Sequence, residues 1–191
     1  RYEFGDWEPK YSANGKTIYL VDSGINASHT ELANATISNL HSAYGSDYSD
    51  STGHGTSMAG LMVGRNIGVA RQATVKNVKL FNEASGNVTL GNVINALDAV
   101  LADHNSGNVA DVKVMCAPWT TAQNNLIDSK IGELNSANIV VVAAAGNQND
   151  NVANYSPAGV DAIITVGAHD NDRKIASFTN TPWDGGNATV A

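Results

Sequence analysis

Three observations predict an α/β fold, a parallel β-sheet flanked by helices on both faces. Short β-branched runs alternate with stretches of helical periodicity along the chain. The first of these runs, TIYLV, is apolar and ends at a turn, as a buried strand does. Hydrophobic residues make up 42% of the 191 residues and charged residues 15%, enough to cover such a sheet without disorder or a coiled coil.

Residues 17–21 (TIYLV) form the first strand, stopped by Asp22 and Gly24. Residues 55–63 read as a helix of small side chains closed by Gly64. The next strand spans 75–80. From Asn92 onward, Val93, Ile94, Leu97, Val100 and Leu101 lie on one helical face. Val112, Val114 and Cys116 alternate as in a strand, with Met115 between them indicating burial on both sides. Leu126, Ile127, Ile131 and Leu134 give another helical face, and residues 139–145 and 162–166 are the last two strands. No repeat, linker or domain boundary interrupts this pattern, so residues 1–191 form a single domain.

The charge is −7, from 11 Lys and Arg against 18 Asp and Glu, with no basic stripe. A nucleic-acid partner is therefore not expected, because phosphate binding needs clustered cations. No apolar run approaches the ~18 residues of a membrane span, so no membrane partner is expected. The lone Cys116 excludes an internal disulfide and leaves the compartment open. A secreted or particle-associated setting is favoured over the cytoplasm.

In parallel α/β sheets the working side chains gather beyond the carboxyl ends of the strands. That rule selects Asp22 to Gly24, Cys116 to Trp119, and Ala144 to Asn147. His54 follows Asp22 by 32 residues, in the string GHGTSMAG. A buried carboxylate can hold an imidazole in one tautomer, as the base of a serine nucleophile requires. Gly55, Ala59 and Gly60 would let that helix approach the sheet closely. Asn147 ends VVVAAAGN and places an amide donor where an oxyanion could be met.

The strings VDSGINASHTEL, GHGTSMAG and VVVAAAGN, in that order, resemble three signature segments of the subtilisin-like serine proteases, the subtilases. RNIGVARQATVKNVKLF and NYSPAGVDAIITVGAHDNDRKIASFTN look most like the proteinase K branch. The resemblance implies a subtilisin-like sheet whose carboxyl-terminal part is missing. It implies Asp22 as catalytic acid, His54 as general base and Asn147 as oxyanion donor. Ser85 and Gly86 match the edge segment that pairs with an extended peptide or protein substrate. Cys116, Ala117 and Pro118, with Ala144, Ala145 and Gly146, match the walls of the pocket for the residue before the scissile bond.

At the family's spacing the nucleophilic serine falls beyond Ala191. The expected function is therefore a serine endopeptidase whose serine comes from outside this chain, on a companion segment that completes the domain. The alternative is a non-catalytic structural or peptide-binding module on the same fold, part of a larger particle. Ser57 sits in GTSMA, which also resembles the nucleophile motif, but its distance from Asp22 makes it a helix-start residue. Cys116 is expected as a packed thiol rather than a substitute nucleophile. Pro118 removes an N–H where the family presents a glycine to substrate backbone. His29 is expected to pack near the Asp22 turn. No metal or other cofactor is predicted; calcium at Glu31 or at the carbonyls of Pro157 and Gly159 is compatible but not expected. A sheet ending here would leave an edge and apolar surface uncovered, so residues 1–191 alone are expected not to form a stable soluble monomer.

Overall fold

A computed structural model describes residues 12–82 and 88–182. Its main sheet contains β1 (Thr17–Asp22), β2 (Thr36–Ser42), β3 (Thr74–Lys79), β4 (Lys113–Ala117), β6 (Ile139–Ala144) and β8 (Ile164–Val166). The order is β2-β3-β1-β4-β6-β8, and every neighbouring pair is parallel. A small antiparallel pair, β5 (Thr121–Ala122) and β7 (Tyr155–Ser156), stands apart from it. The helices are α1 (His54–Val63), α2 (Leu90–Ser106) and α3 (Asn125–Ser136).

Alternation along β1 divides the core. Tyr19 and Val21 face one way, into a cluster with Val93, Leu97 and Val100 of α2 and Ile127, Ile131 and Leu134 of α3. Leu20 faces the other way, against Ala59 and Val63 of α1 and Val75 of β3. Helices thus cover both faces, as the apolar runs predicted. Thr89 caps α2 by accepting the Asn92 N–H, and Asn124 caps α3 by accepting those of Leu126 and Ile127.

Three details differ from the sequence expectation. The main sheet has a sixth strand, β2, whose sequence TISNLHS carries no apolar run because it is an edge strand, largely half-buried or exposed. Val112 lies outside β4 and is 54% exposed. Leu126 is 49% exposed at the start of α3, where its neighbour Ile127 takes the core-facing position.

The chain places β2 and β3 on one side of β1, then crosses to place β4, β6 and β8 on the other. The strand order therefore reverses at β1 and β4, and the crevice beyond the carboxyl ends of these strands is where such sheets bind ligands.

Candidate active site

Asp22 is the last residue of β1 and points to the α1 face, and His54 is the first residue of α1. His54 Nδ1 lies 2.8 Å from Asp22 Oδ1 and 2.9 Å from Oδ2. The Asp22 side chain is 3% exposed and that of His54 is 53% exposed. Burial pushes the Asp22 carboxyl above the ordinary carboxylate range, against the opposing pull of His54 and of the Ser23 N–H, which donates to Oδ1 at 2.6 Å. An imidazole held through Nδ1 by a buried carboxylate keeps Nε2 for proton exchange with another molecule.

The close approach of α1 depends on two glycines. A Cβ on Gly55 would collide with the Gly24 carbonyl and come within 3.3 Å of Asp22 Cβ. Gly24, at φ +101°, has no room for a side chain against the Ser49 carbonyl.

Asn147 follows β6 in an exposed loop whose shape is set from below by Asn180, a fully buried residue absent from the sequence-predicted set. Asn180 Nδ2 donates to the Ala145 carbonyl at 2.9 Å and to Gln148 Oε1 at 2.8 Å. Its Oδ1 accepts the N–H groups of Gln148 at 3.0 Å and Asp150 at 3.1 Å. The Asn180 N–H itself donates to the Gly146 carbonyl at 3.0 Å. Gly146, at φ +105°, lies where a Cβ would strike the Asn180 amide. Asn180 sits in SFTN, with no pattern of its own to single it out.

Ala117 pairs with Ala143 across β4 and β6, so Ala117 and Pro118 share one end of the sheet with Ala144, Ala145 and Gly146. Ser85 and Gly86 lie outside the described residues. Beyond β4, Phe81, Val88, Leu90, Val93, Trp119 and Ile127 line a cavity of about 370 Å³, with threonine and amide groups at its edge. The rings of Phe81 and Trp119 meet edge to face with centroids 6.1 Å apart.

Several sequence alternatives are decided by local geometry. Cys116 packs among the α1-side core, and burial followed by the Asp22 charge pushes its thiol up to about 12. Such a thiol carries little thiolate near neutrality, in keeping with a packed side chain. Ser57 Oγ donates back to the Gly53 carbonyl at 2.8 Å, inside the first turn of α1. His29 does not pack at the Asp22 turn. It is exposed, and its Nδ1 accepts the Glu31 N–H at the start of a 3₁₀ turn, Thr30–Leu32.

The Glu31 carboxylate accepts the N–H groups of Asn66 and Ile67 and the Asn66 amide, so its oxygens are occupied by its own chain. The Pro157 carbonyl accepts the Val160 N–H. Among the described residues no group of three or more His, Cys, Asp or Glu could hold a metal ion. Nor, among them, is any helix long and apolar enough to cross a membrane.

The profile of the Subtilase family matches residues 13–186. Proteinase R of Parengyodontium album is 31% identical over 169 residues, covering 88% of this chain and 43% of that protein. A cuticle-degrading serine protease of Arthrobotrys oligospora is 33% identical over 181 residues, covering 92% and 42%. In structure, a cold adapted subtilisin-like serine proteinase superimposes with a TM-score of 0.81 at 28% identity, covering 92% of this chain and 62% of that one. The chain thus spans about two-fifths of the length of these two fungal relatives. With its sheet, its motif order and its Asp22–His54 pair, the chain belongs to the subtilase family, in the proteinase K-like branch.

Proposed function

We propose that this chain is the amino-terminal portion of a subtilisin-like serine endopeptidase, with the nucleophilic serine supplied by a region beyond it. The observation that carries the reading is the buried Asp22 carboxylate held against Nδ1 of a half-exposed His54. In the proposed reaction His54 Nε2 takes the proton of the serine hydroxyl as its oxygen attacks the scissile carbonyl carbon. Asp22 holds the Nδ1–H tautomer and stabilises the imidazolium that forms. The Asn147 amide donates to the oxyanion. The tetrahedral adduct collapses as His54 returns its proton to the leaving amine, and water then hydrolyses the acyl ester by the same base.

The substrate is an extended peptide segment. Cys116, Ala117, Pro118, Ala144, Ala145 and Gly146 would wall the pocket before the scissile bond, with Ser85 and Gly86 pairing to the substrate backbone. Pro118 withholds one N–H from that pairing. The aromatic cavity beyond β4 would take an apolar substrate side chain. A companion segment completing the domain is favoured by β8, an edge strand with Ile164 45% and Val166 41% exposed, and by Phe178 at 49%. A secreted or particle-associated setting goes with this reading.

A fluorophosphonate serine probe, followed by intact mass spectrometry of the native sample, tests it. Label on a companion peptide that co-purifies with this chain, or on a longer form of it, supports the endopeptidase. Folded material without label or companion would refute it in favour of a binding module.

A further inference from the structure

The first four N–H groups of a helix have no partner within it, and α1 begins after Gly53, which has no side chain to supply one. Three side chains from outside the helix take all four. The Gly53 N–H donates to Asp50 Oδ1 at 2.9 Å and the His54 N–H to Thr52 Oγ1 at 3.1 Å. The Gly55 N–H donates to Ser23 Oγ at 3.0 Å and the Thr56 N–H to Asp50 Oδ2 at 2.8 Å. Asp50 joins these into one unit. It also accepts the Ser23 hydroxyl at 2.8 Å, the Thr56 hydroxyl at 2.6 Å and the Thr52 N–H at 3.1 Å.

The unit reaches both halves of the active pair. Ser23 follows Asp22 and donates its N–H to the Asp22 carboxylate, while His54 lies inside the capped turn. Beneath it, fully buried Lys79 donates to Asp47 Oδ2 at 3.0 Å and to the Ser49 carbonyl, which fixes the loop that carries Asp50. Lys79 is the register partner of Asp22 across β3 and β1, so the loop is anchored to the same point of the sheet as the acid.

We propose that Asp50 is a positioning residue for the Asp22–His54 pair, locking the first turn of α1 onto Ser23 so that His54 Nδ1 stays on the Asp22 carboxylate. A cap needed only for helix stability would require no bond to Ser23. The bond to Ser23 makes the placement of His54 relative to Asp22 depend on one carboxylate. The proposal rests on the reading of His54 as a base, but its geometric core does not require turnover.

Asp50→Asn keeps the size of the side chain and faces one of its oxygen positions with an amide that cannot accept the Thr56 N–H. Thr56→Val keeps the shape of the side chain and removes the hydroxyl that donates to Asp50 Oδ2 and accepts the Asn26 N–H. Both are made in the intact protein, and the Nδ1–H proton resonance of His54 is followed by NMR beside kcat and KM on a peptide substrate. The expected result is a displaced or lost resonance in Asp50→Asn, a smaller displacement in Thr56→Val, and a fall in kcat of about 100-fold for Asp50→Asn at little-changed KM. A lowered melting temperature with wild-type resonance and kcat in both variants would overturn the proposal. If Asp50→Asn does not fold, Thr56→Val decides by the same resonance. If the wild-type protein cleaves no peptide, the endopeptidase reading fails while the resonance still decides the role of Asp50.

Discussion

Asn180→Ala isolates the support under the loop that carries Asn147. The variant removes four side-chain hydrogen bonds, two donated by Nδ2 and two accepted by Oδ1. Their loss is unequal. The N–H groups of Gln148 and Asp150 belong to exposed residues and can turn to water, whereas the carbonyl of Ala145 belongs to a residue only 1% exposed. One stranded buried acceptor costs about 1–3 kcal/mol, and each bond exchanged for water about 0.5–1.5 kcal/mol at most. The sum to expect is about 3 kcal/mol, or ~6–12 °C in melting temperature for a domain of this size. Thermal unfolding followed by circular dichroism reads the first part. On the endopeptidase reading, kcat falls about 10- to 100-fold with KM nearly unchanged, because Asn147 meets only the reacting carbonyl. Asn180→Asp retains both acceptor bonds but turns a carboxylate oxygen toward the Ala145 carbonyl, so it is at least as destabilising. A melting temperature within about 1 °C of wild type for Asn180→Ala would refute the assignment of Asn180 as the clamp.

Gly55→Ala drives a methyl group into the Gly24 carbonyl and forces α1 away from β1. It is expected to cost about 1–3 kcal/mol and to break the contact between His54 and Asp22, seen as loss of the Nδ1–H resonance. Burial holds the imidazole of His104 below its usual 6.5, with the Lys113 charge adding to this, and burial does the same for His41. Below the unfolded-state value the unfolded chain binds more protons than the folded one, so stability is full above about pH 6.5 and is lost as pH falls. Melting temperature measured across that range should drop toward acid, and less steeply in His104→Gln. Residues 1–191 produced alone are expected to be aggregated or unfolded; a monodisperse monomer with a cooperative thermal transition would refute that.

Where the sequence was informative, it was so because one signal dominated. The apolar runs of β1, β4 and β6 announce strands since both faces are buried, and GHGT and AAGN stand out because they lie at helix or strand ends. β2 was silent because an edge strand need not be apolar. Asn180 and Asp50 were equally silent, for another reason. Each works by accepting or donating to backbone groups brought near by the fold, and among many Asn and Asp residues nothing in spacing marks those two. Ser85 and Gly86 rest on motif similarity alone.

Asp50 and Asn180 solve the same problem at two strand ends. A parallel sheet delivers its functional groups to loops beyond the ladder, where backbone N–H and carbonyl groups lose their sheet partners. At the end of β1 a carboxylate takes donors only: hydroxyls and N–H groups of Ser23, Thr52, Gly53 and Thr56. After β6 the loop offers both a carbonyl at Ala145 and N–H groups at Gln148 and Asp150, which needs an amide. The side-chain type at each site is therefore dictated by which backbone groups were left over. Exchanging the two, Asp50→Asn with Asn180→Asp, should damage both loops although composition and net charge are unchanged. Each exchange disturbs a different loop, so the two stability losses should add within about 0.5 kcal/mol if the clamps are independent.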